Sequence, residues 1–177
     1  MIISVEKAKD LIRFPESWTD DKIKMKLLSV EQTIRAYTNN NFQNRGYRVY
    51  ADIRAGVLMS EALIPFEVGD TVQISGSQLN NGLYTVAESH DEAFTVSENL
   101  KDENCVLVTK IEYPADVIDC CLNLLEWETQ NRGKVGIQSE TLSRHSVTYF
   151  NMGANDQVMG YPISLLGCLK AYRKARC

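Results

Sequence analysis

Apolar side chains recur at helical spacing along the first forty residues. Val5, Ala8, Leu11 and Ile12 share a face at steps of three, three and one. Ser4 stands where an N-cap would, and Glu6 sits in the first turn, where the helix dipole favours an anion. Pro15 ends the run, because proline lacks an amide proton and restricts the residue before it. Thr19 or Asp20 caps a second helix, again with acid at its start. Its stripe of Ile23, Leu27, Val30, Ile34 and Tyr37 recurs at four, three, four and three, and Met25 and Leu28 widen it. Lys22, Lys24, Lys26 and Arg35 occupy other faces. The stripe lasts only about two heptads, so it reads as core rather than as a coiled-coil seam. Thr38-Asn39-Asn40-Asn41 stops the helix, since Asn tolerates the left-handed conformation found at helix ends.

From Tyr47 to Ile111 the period changes to two. Residues 47–53, 70–74, 83–87, 93–96 and 105–109 are short alternating runs rich in β-branched and aromatic side chains, each bounded by turn residues. Gly69-Asp70 and Asn80-Asn81-Gly82 are turn signals, and the second suits a tight hairpin. Five or so short strands at this spacing predict a small β-barrel or a two-layer β-domain.

Helical spacing returns at Pro114, which is well placed to open a helix. Val117, Ile118, Cys121, Leu122, Leu124, Leu125 and Trp127 cover more than one face, so this helix is expected at the centre of a bundle or at a subunit interface. Gly133 is its natural stop. The run from Gly136 to Phe150 alternates but carries few large apolar side chains, and a segment of that kind orders best against another element, such as a neighbouring subunit. A loop follows. Pro162 then begins a short basic helix with Ile163, Leu166, Leu169 and Tyr172 on one face.

The fold class predicted is α+β: a small bundle of about four helices, an inserted small β-barrel-like domain between the second and third, and an extended arm. Residues 1–46 and 112–177 form the helical core, with the arm at 136–150, and residues 47–111 form the insert.

Composition narrows this only modestly. The chain has 177 residues, 44% of them hydrophobic and 24% charged, as expected of a globular protein. No apolar stretch approaches the roughly 18 residues of a membrane span. Met1-Ile2-Ile3-Ser4-Val5-Glu6-Lys7 lacks the pattern of a signal peptide, so a cytoplasmic site of synthesis is expected. The cysteines at 105, 120, 121, 168 and 177 are odd in number and form no Cys-x-x-Cys pair, which argues against a disulfide framework and against zinc. They read as small apolar core residues. The net charge of −4 disfavours a dedicated nucleic-acid binder. Acid is concentrated in the β-rich segment, whereas Lys170, Arg173, Lys174 and Arg176 make the C-terminal region basic.

Candidate chemistry is sparse. His90 lies among acids in Glu88-Ser89-His90-Asp91-Glu92, which reads as a solvated hairpin tip rather than a metal site. His145 stands beside Ser146, but neighbours on one strand point to opposite faces, so adjacency does not make a catalytic dyad. Phosphate-binding loops, nucleophile elbows and zinc-protease helices leave no motif. Glu126 and Glu128 flank Trp127 and read as a solvated edge. No enzyme, cofactor or metal is expected.

Taken in order, several segments resemble the bacteriophage head–tail connector family. Ile3-Ser4-Val5-Glu6-Lys7-Ala8-Lys9 followed by Asp20-Asp21-Lys22-Ile23 is similar to its opening two helices. Tyr113-Pro114-Ala115-Asp116-Val117 is similar to the start of its central helix, residues 136–149 to its arm, and residues 162–172 to its closing helix. The β-rich insert is a departure, since simple members have a short connection there.

The resemblance implies a structural adaptor that forms a ring, in the virion a dodecamer, beneath the portal of a phage or prophage. Such a ring extends the DNA channel and presents the docking surface for the tail or a stopper protein. It implies a subunit interface through Ile137, Gln138, Glu140, Thr141, Leu142, Arg144, Val147 and Tyr149, and portal binding through Lys170, Arg173, Lys174 and Arg176. DNA would pass through without specific binding, repelled by the negative charge. The protein would be made in the bacterial cytoplasm and reside at the head–tail junction, with no membrane partner. Two alternatives remain open: a tail-completion or terminator protein, and a β-barrel module that binds peptide or nucleic acid.

Overall fold

A computed structural model of the chain describes residues 1–131, 139–142, 145–148 and 156–175. It mixes α and β structure, with four helices among the described residues and a closed, six-stranded antiparallel barrel. The chain separates into two compact units, one of residues 1–2 and 40–113, the other of residues 3–39 and 114–177.

The first unit is the barrel. Its strands are β1 (Gln43–Arg54), β2 (Val57–Met59), β3 (Thr71–Ser75), β4 (Gly82–Ser89), β5 (Ala93–Val96) and β6 (Glu103–Ile111). They run in the order β1-β2-β5-β4-β3-β6, and β6 pairs back onto β1. Alternation sends Val49, Ala51 and Ile53 inward from β1, where they meet Leu58, Val72, Ile74, Val86, Phe94, Val96, Val106 and Val108. Phe66 closes on Phe94 edge-on, with ring centroids 5.3 Å apart. Each Val, Leu, Ile or Phe among them contributes roughly 1.5–3 kcal/mol by leaving water. Pairing is irregular at two places along β1: Arg45–Tyr47 are bulged out between Asn44 and Arg48, and the register shifts again between Ala51 and Ile53.

The structure departs from the sequence pattern at two places in the barrel. β2, three residues long, has no counterpart among the alternating runs, because three residues carry too little alternation to register. It follows a two-residue turn, Ala55-Gly56, with both φ angles positive (48° and 81°), which sets a tight hairpin. The tight hairpin expected at Asn80-Asn81-Gly82 is instead a six-residue connection between Ser75 and Gly82, and neither Asn80 nor Asn81 has positive φ. Asn80 is buried and works through its side chain: its amide donates to the Lys101 carbonyl (3.0 Å), and its oxygen accepts the Lys101 N–H (2.8 Å). The Glu103 carboxylate completes the brace, accepting from Ser77 Oγ (2.5 Å), the Gln78 N–H (2.6 Å) and Asn80 Nδ2 (2.9 Å). Those donors, the Ser77 hydroxyl first, hold its carboxyl below the usual range.

The second unit holds α1 (Val5–Leu11), α2 (Asp20–Thr38), α3 (Ala115–Asn131) and a terminal 3₁₀-helix (Ile163–Tyr172). Two short antiparallel pairs, β7–β8 (Ser139–Leu142 with His145–Thr148) and β9–β10 (Gln157–Val158 with Tyr161–Pro162), belong to the same unit. Ser4 and Thr19 cap the first two helices through their hydroxyls, and Asn39, at φ 48°, ends α2 in the left-handed conformation. Ile23, Leu27, Val30 and Ile34 are buried on α2, and Val117, Cys120, Cys121, Leu124 and Leu125 on α3. Leu11 and Met25 are exposed instead, since α1 ends at Leu11 and Met25 lies off the α2 stripe. Helix α3 starts one residue after Pro114, whose carbonyl accepts the Val117 and Ile118 N–H groups.

The closing helix is 3₁₀ rather than α. Ile163, Leu166, Leu169 and Tyr172 are spaced by strict threes, and three residues per turn stacks them on one face. Leu166 and Leu169 are fully buried, and the Tyr172 hydroxyl donates to Asp116 on α3 (2.7 Å).

Candidate interaction surfaces

Of the basic residues expected to meet a portal, Lys170 is an exposed residue of the 3₁₀-helix, Arg173 follows it, and Lys174 comes next. Arg176 lies outside the described residues. The chain here is pinned to the end of α2. The Lys174 N–H donates to the Thr38 carbonyl (2.8 Å), Asn39 Nδ2 donates to the Ala175 carbonyl (2.9 Å), and the Arg173 guanidinium lies 5.3 Å from the centre of the Tyr37 ring. This segment therefore serves a carbonyl that the helix end leaves open and sets positive charge at the negative end of the dipole.

Of the expected arm residues, Glu140, Thr141 and Leu142 fall in β7 and Val147 in β8, whereas Ile137, Gln138, Arg144 and Tyr149 lie outside the described residues. The outside partner sought for this run has an internal counterpart: Glu140 is opposite Val147, and Leu142 is opposite His145. The two strands form a sheet of their own.

The reading of Glu126 and Glu128 as a solvated edge fails for Glu128. Glu126 is exposed, but Glu128 is only 3% exposed. Its carboxylate accepts from Lys26 Nζ on α2 (2.7 Å) and from the Tyr161 hydroxyl on β10 (2.9 Å). The Trp127 ring packs on Tyr161 at 5.5 Å. A charge that far from water persists only when paired and hydrogen-bonded. Glu31 on α2 is buried as well, and it adds to the burial that pushes the Cys121 thiol up to about 12. Of the cysteines read as core, Cys120 and Cys121 are buried, Cys105 and Cys168 are exposed, and Cys177 lies outside the described residues. Cys120 and Cys168 both donate to the Leu165 carbonyl, at 3.3 and 3.6 Å, and burial raises the Cys120 thiol far above its usual range.

The barrel presents a cleft of about 960 Å³ lined by residues 48–52 of β1, Met59, the segment Ser60–Ala62, Glu92, Ala93 and Cys105. Tyr50 is 64% exposed and Met59 43%. The cleft exists because the β1–β2 seam is short: only Asp52, Ile53 and Arg54 of β1 have partners in β2. Beyond Met59 the chain leaves the seam, and the Ser60 N–H turns to the Glu92 carbonyl (2.9 Å). The sequence signal for this cleft was the outward position of an aromatic residue, Tyr50, in a strand of otherwise clean alternation.

His90 is exposed in the three-residue turn between β4 and β5. Lys110 pairs with Asp70 at 2.7 Å and lies 5.5 Å from the centre of the Tyr47 ring. Burial alone would push its ammonium down, but Asp70, Glu112 and Glu67 outweigh that and hold it above its usual value. Among the described residues there is no group of three or more His, Cys, Asp or Glu able to hold a metal, and no helix long and apolar enough to cross a membrane. The sequence matches no protein-family model and no curated protein.

Proposed function

We propose that this chain is a structural head–tail connector of a tailed phage or prophage. It would form a ring beneath the portal, extend the DNA channel and offer the surface on which a tail or stopper protein docks. In this reading the helical unit is the ring core and the barrel is an insert between its second and third helices. The observation that carries it is the separate β7–β8 sheet: its outer edges pair with no other described strand, and a two-stranded sheet alone is marginal in water, so a neighbouring subunit is its natural partner. The charge distribution supports the same reading. Residues 40–113 carry eleven acidic and five basic side chains, a formal −6, so the rest of the chain carries +2 of the total −4. A surface of that kind repels phosphates and lets DNA slide, which also argues against a nucleic-acid-binding module. Arg173 and Lys174 would face acidic portal groups, strengthening the pairing at low salt.

The test is electron microscopy of particles from a lysogen or phage with an early stop codon in this gene. Filled or leaking heads beside free tails are expected. Intact virions would overturn the reading.

A further inference from the structure

The barrel is closed, yet one stretch of its wall is left without a partner. Along β1, Val49 and Ala51 face β6, opposite Val108 and Val106. Phase follows from two independent points. The two-residue turn makes Arg54 and Val57 a hydrogen-bonded closing pair, so the main-chain groups of Asp52, and by alternation of Tyr50 and Arg48, point toward the β2 side. The Glu112 N–H donates to the Phe42 carbonyl (2.9 Å), so even-numbered residues of the β6 run face β1, and Val108 with Val49 is then a hydrogen-bonded pair. Both points direct the N–H and C=O of Arg48 and Tyr50 into the cleft. β2 has already ended there, and no described strand pairs with that side of residues 48–51.

An open edge of this kind is a template for one more strand. We propose that the cleft accepts an extended, basic segment of a partner protein, which adds to β1 in line with β2 and hydrogen-bonds to Arg48 and Tyr50. The occupant's chemistry follows from the lining. Glu61 and Glu92 line the cleft with one cation, Arg48, whose Nε is engaged by Thr109 Oγ1 (3.1 Å), while the Asp52 carboxylate already accepts the Cys105 N–H (2.8 Å) and lies 3.9 Å from Arg54. The whole unit carries −6. Tyr50 and Met59 supply an apolar floor for alternate side chains of the added strand, so basic and apolar residues alternating at a period of two fit best. Main-chain bonds would provide affinity, and the acids would provide the preference for basic segments. This site goes beyond the connector reading and does not depend on it.

The full-length chain is titrated into a fluorescein-labelled eight-residue peptide of alternating Lys and Val, and anisotropy is read at low and at physiological salt. Saturable binding is expected. It should be at least tenfold weaker for an alternating Glu–Val peptide, and at least tenfold weaker for a Lys–Pro peptide, which has the charge but lacks half the amide donors. Tyr50→Pro, which removes an edge donor, and the Glu61→Gln/Glu92→Gln pair, which leaves the backbone alone, should each weaken binding at least fivefold. Amide exchange at Arg48 and Tyr50 should slow in the complex. No binding of the Lys–Val peptide, or equal binding of the Lys–Pro peptide, overturns the proposal. Full affinity in both the Tyr50→Pro and the Glu61→Gln/Glu92→Gln proteins overturns it too. Sedimentation showing that the edge is filled by a second copy of this chain, with association abolished by Tyr50→Pro, would overturn the assignment of a basic partner.

Discussion

The barrel and the helical unit solve the same burial problem in opposite ways. The core cluster of the barrel, from Val49 to Val108, is apolar, its buried polar side chains such as Asn80 and Thr109 are uncharged, and its charges sit on the outside or brace loops, as Glu103 does. The helical unit buries two carboxylates, Glu31, whose charge acts on Cys121, and Glu128, which is tied to Lys26 and Tyr161. The difference comes from where each satisfies its main chain. A helix closes its own hydrogen bonds, so a side chain inside can be polar if one partner reaches it. A barrel strand depends on its neighbours, so a short neighbour such as β2 leaves an open edge rather than a buried charge.

The largest test of the comparison is in the barrel. Phe94→Ala removes a ring packed on Phe66 at the centre of the core, and urea unfolding should show a loss of about 3–5 kcal/mol. A loss below about 1 kcal/mol would mean that this core does not hold the unit together.

Next comes the buried charge. Lys26→Met removes the Lys26 ammonium from the buried Glu128 carboxylate and should cost about 3 kcal/mol, while Lys26→Met combined with Glu128→Leu should recover most of that loss. If the single and double variants are equally unstable, the pair is not acting as a unit.

The thiols sharpen the contrast between buried and exposed sites. At pH 8, mass-spectrometric mapping should find Cys105 and Cys168 alkylated well before Cys120 and Cys121. The Cys121 thiol has a raised native pKa, so its contribution is fully present below the usual thiol range and is lost as pH rises toward about 12. Rapid labelling of Cys121 in the native protein would contradict its burial.

The smallest effect is expected at the barrel loop. The Glu103 carboxyl is held below its usual value, so its contribution is present above the unfolded carboxylate pKa and fades as pH falls through the native one. Glu103→Gln should speed amide exchange at Gln78, with little change in the exchange of Val106 and Val108. Uniform acceleration across the barrel would show that the brace supports the core rather than the loop.

Much of the architecture was legible because it depends on local periodicity. The α2 stripe, the cap at Ser4, a second cap at Thr19 or Asp20, a stop within residues 38–41 and the alternation around Val49, Val72, Phe94 and Val106 all follow from spacing and side-chain chemistry, and the structure selects Thr19 and Asn39. The 3₁₀ character of the last helix was also present, as the strict threes of Ile163, Leu166, Leu169 and Tyr172, but a helical face alone did not separate the two periods.

What tertiary structure alone decided concerns partners distant in sequence. Glu128 is inside because Lys26, 102 residues away, and Tyr161, 33 residues away, reach it. Asn80 is a brace rather than a tight turn because Lys101 and Glu103 come beside it. The cleft at Tyr50 exists because β2 stops at Met59 while β1 runs on, a mismatch of lengths that only the pairing of two strands can create. Periodicity reports which face of an element is apolar, but the partner that meets that face, or fails to, is set by the folded chain.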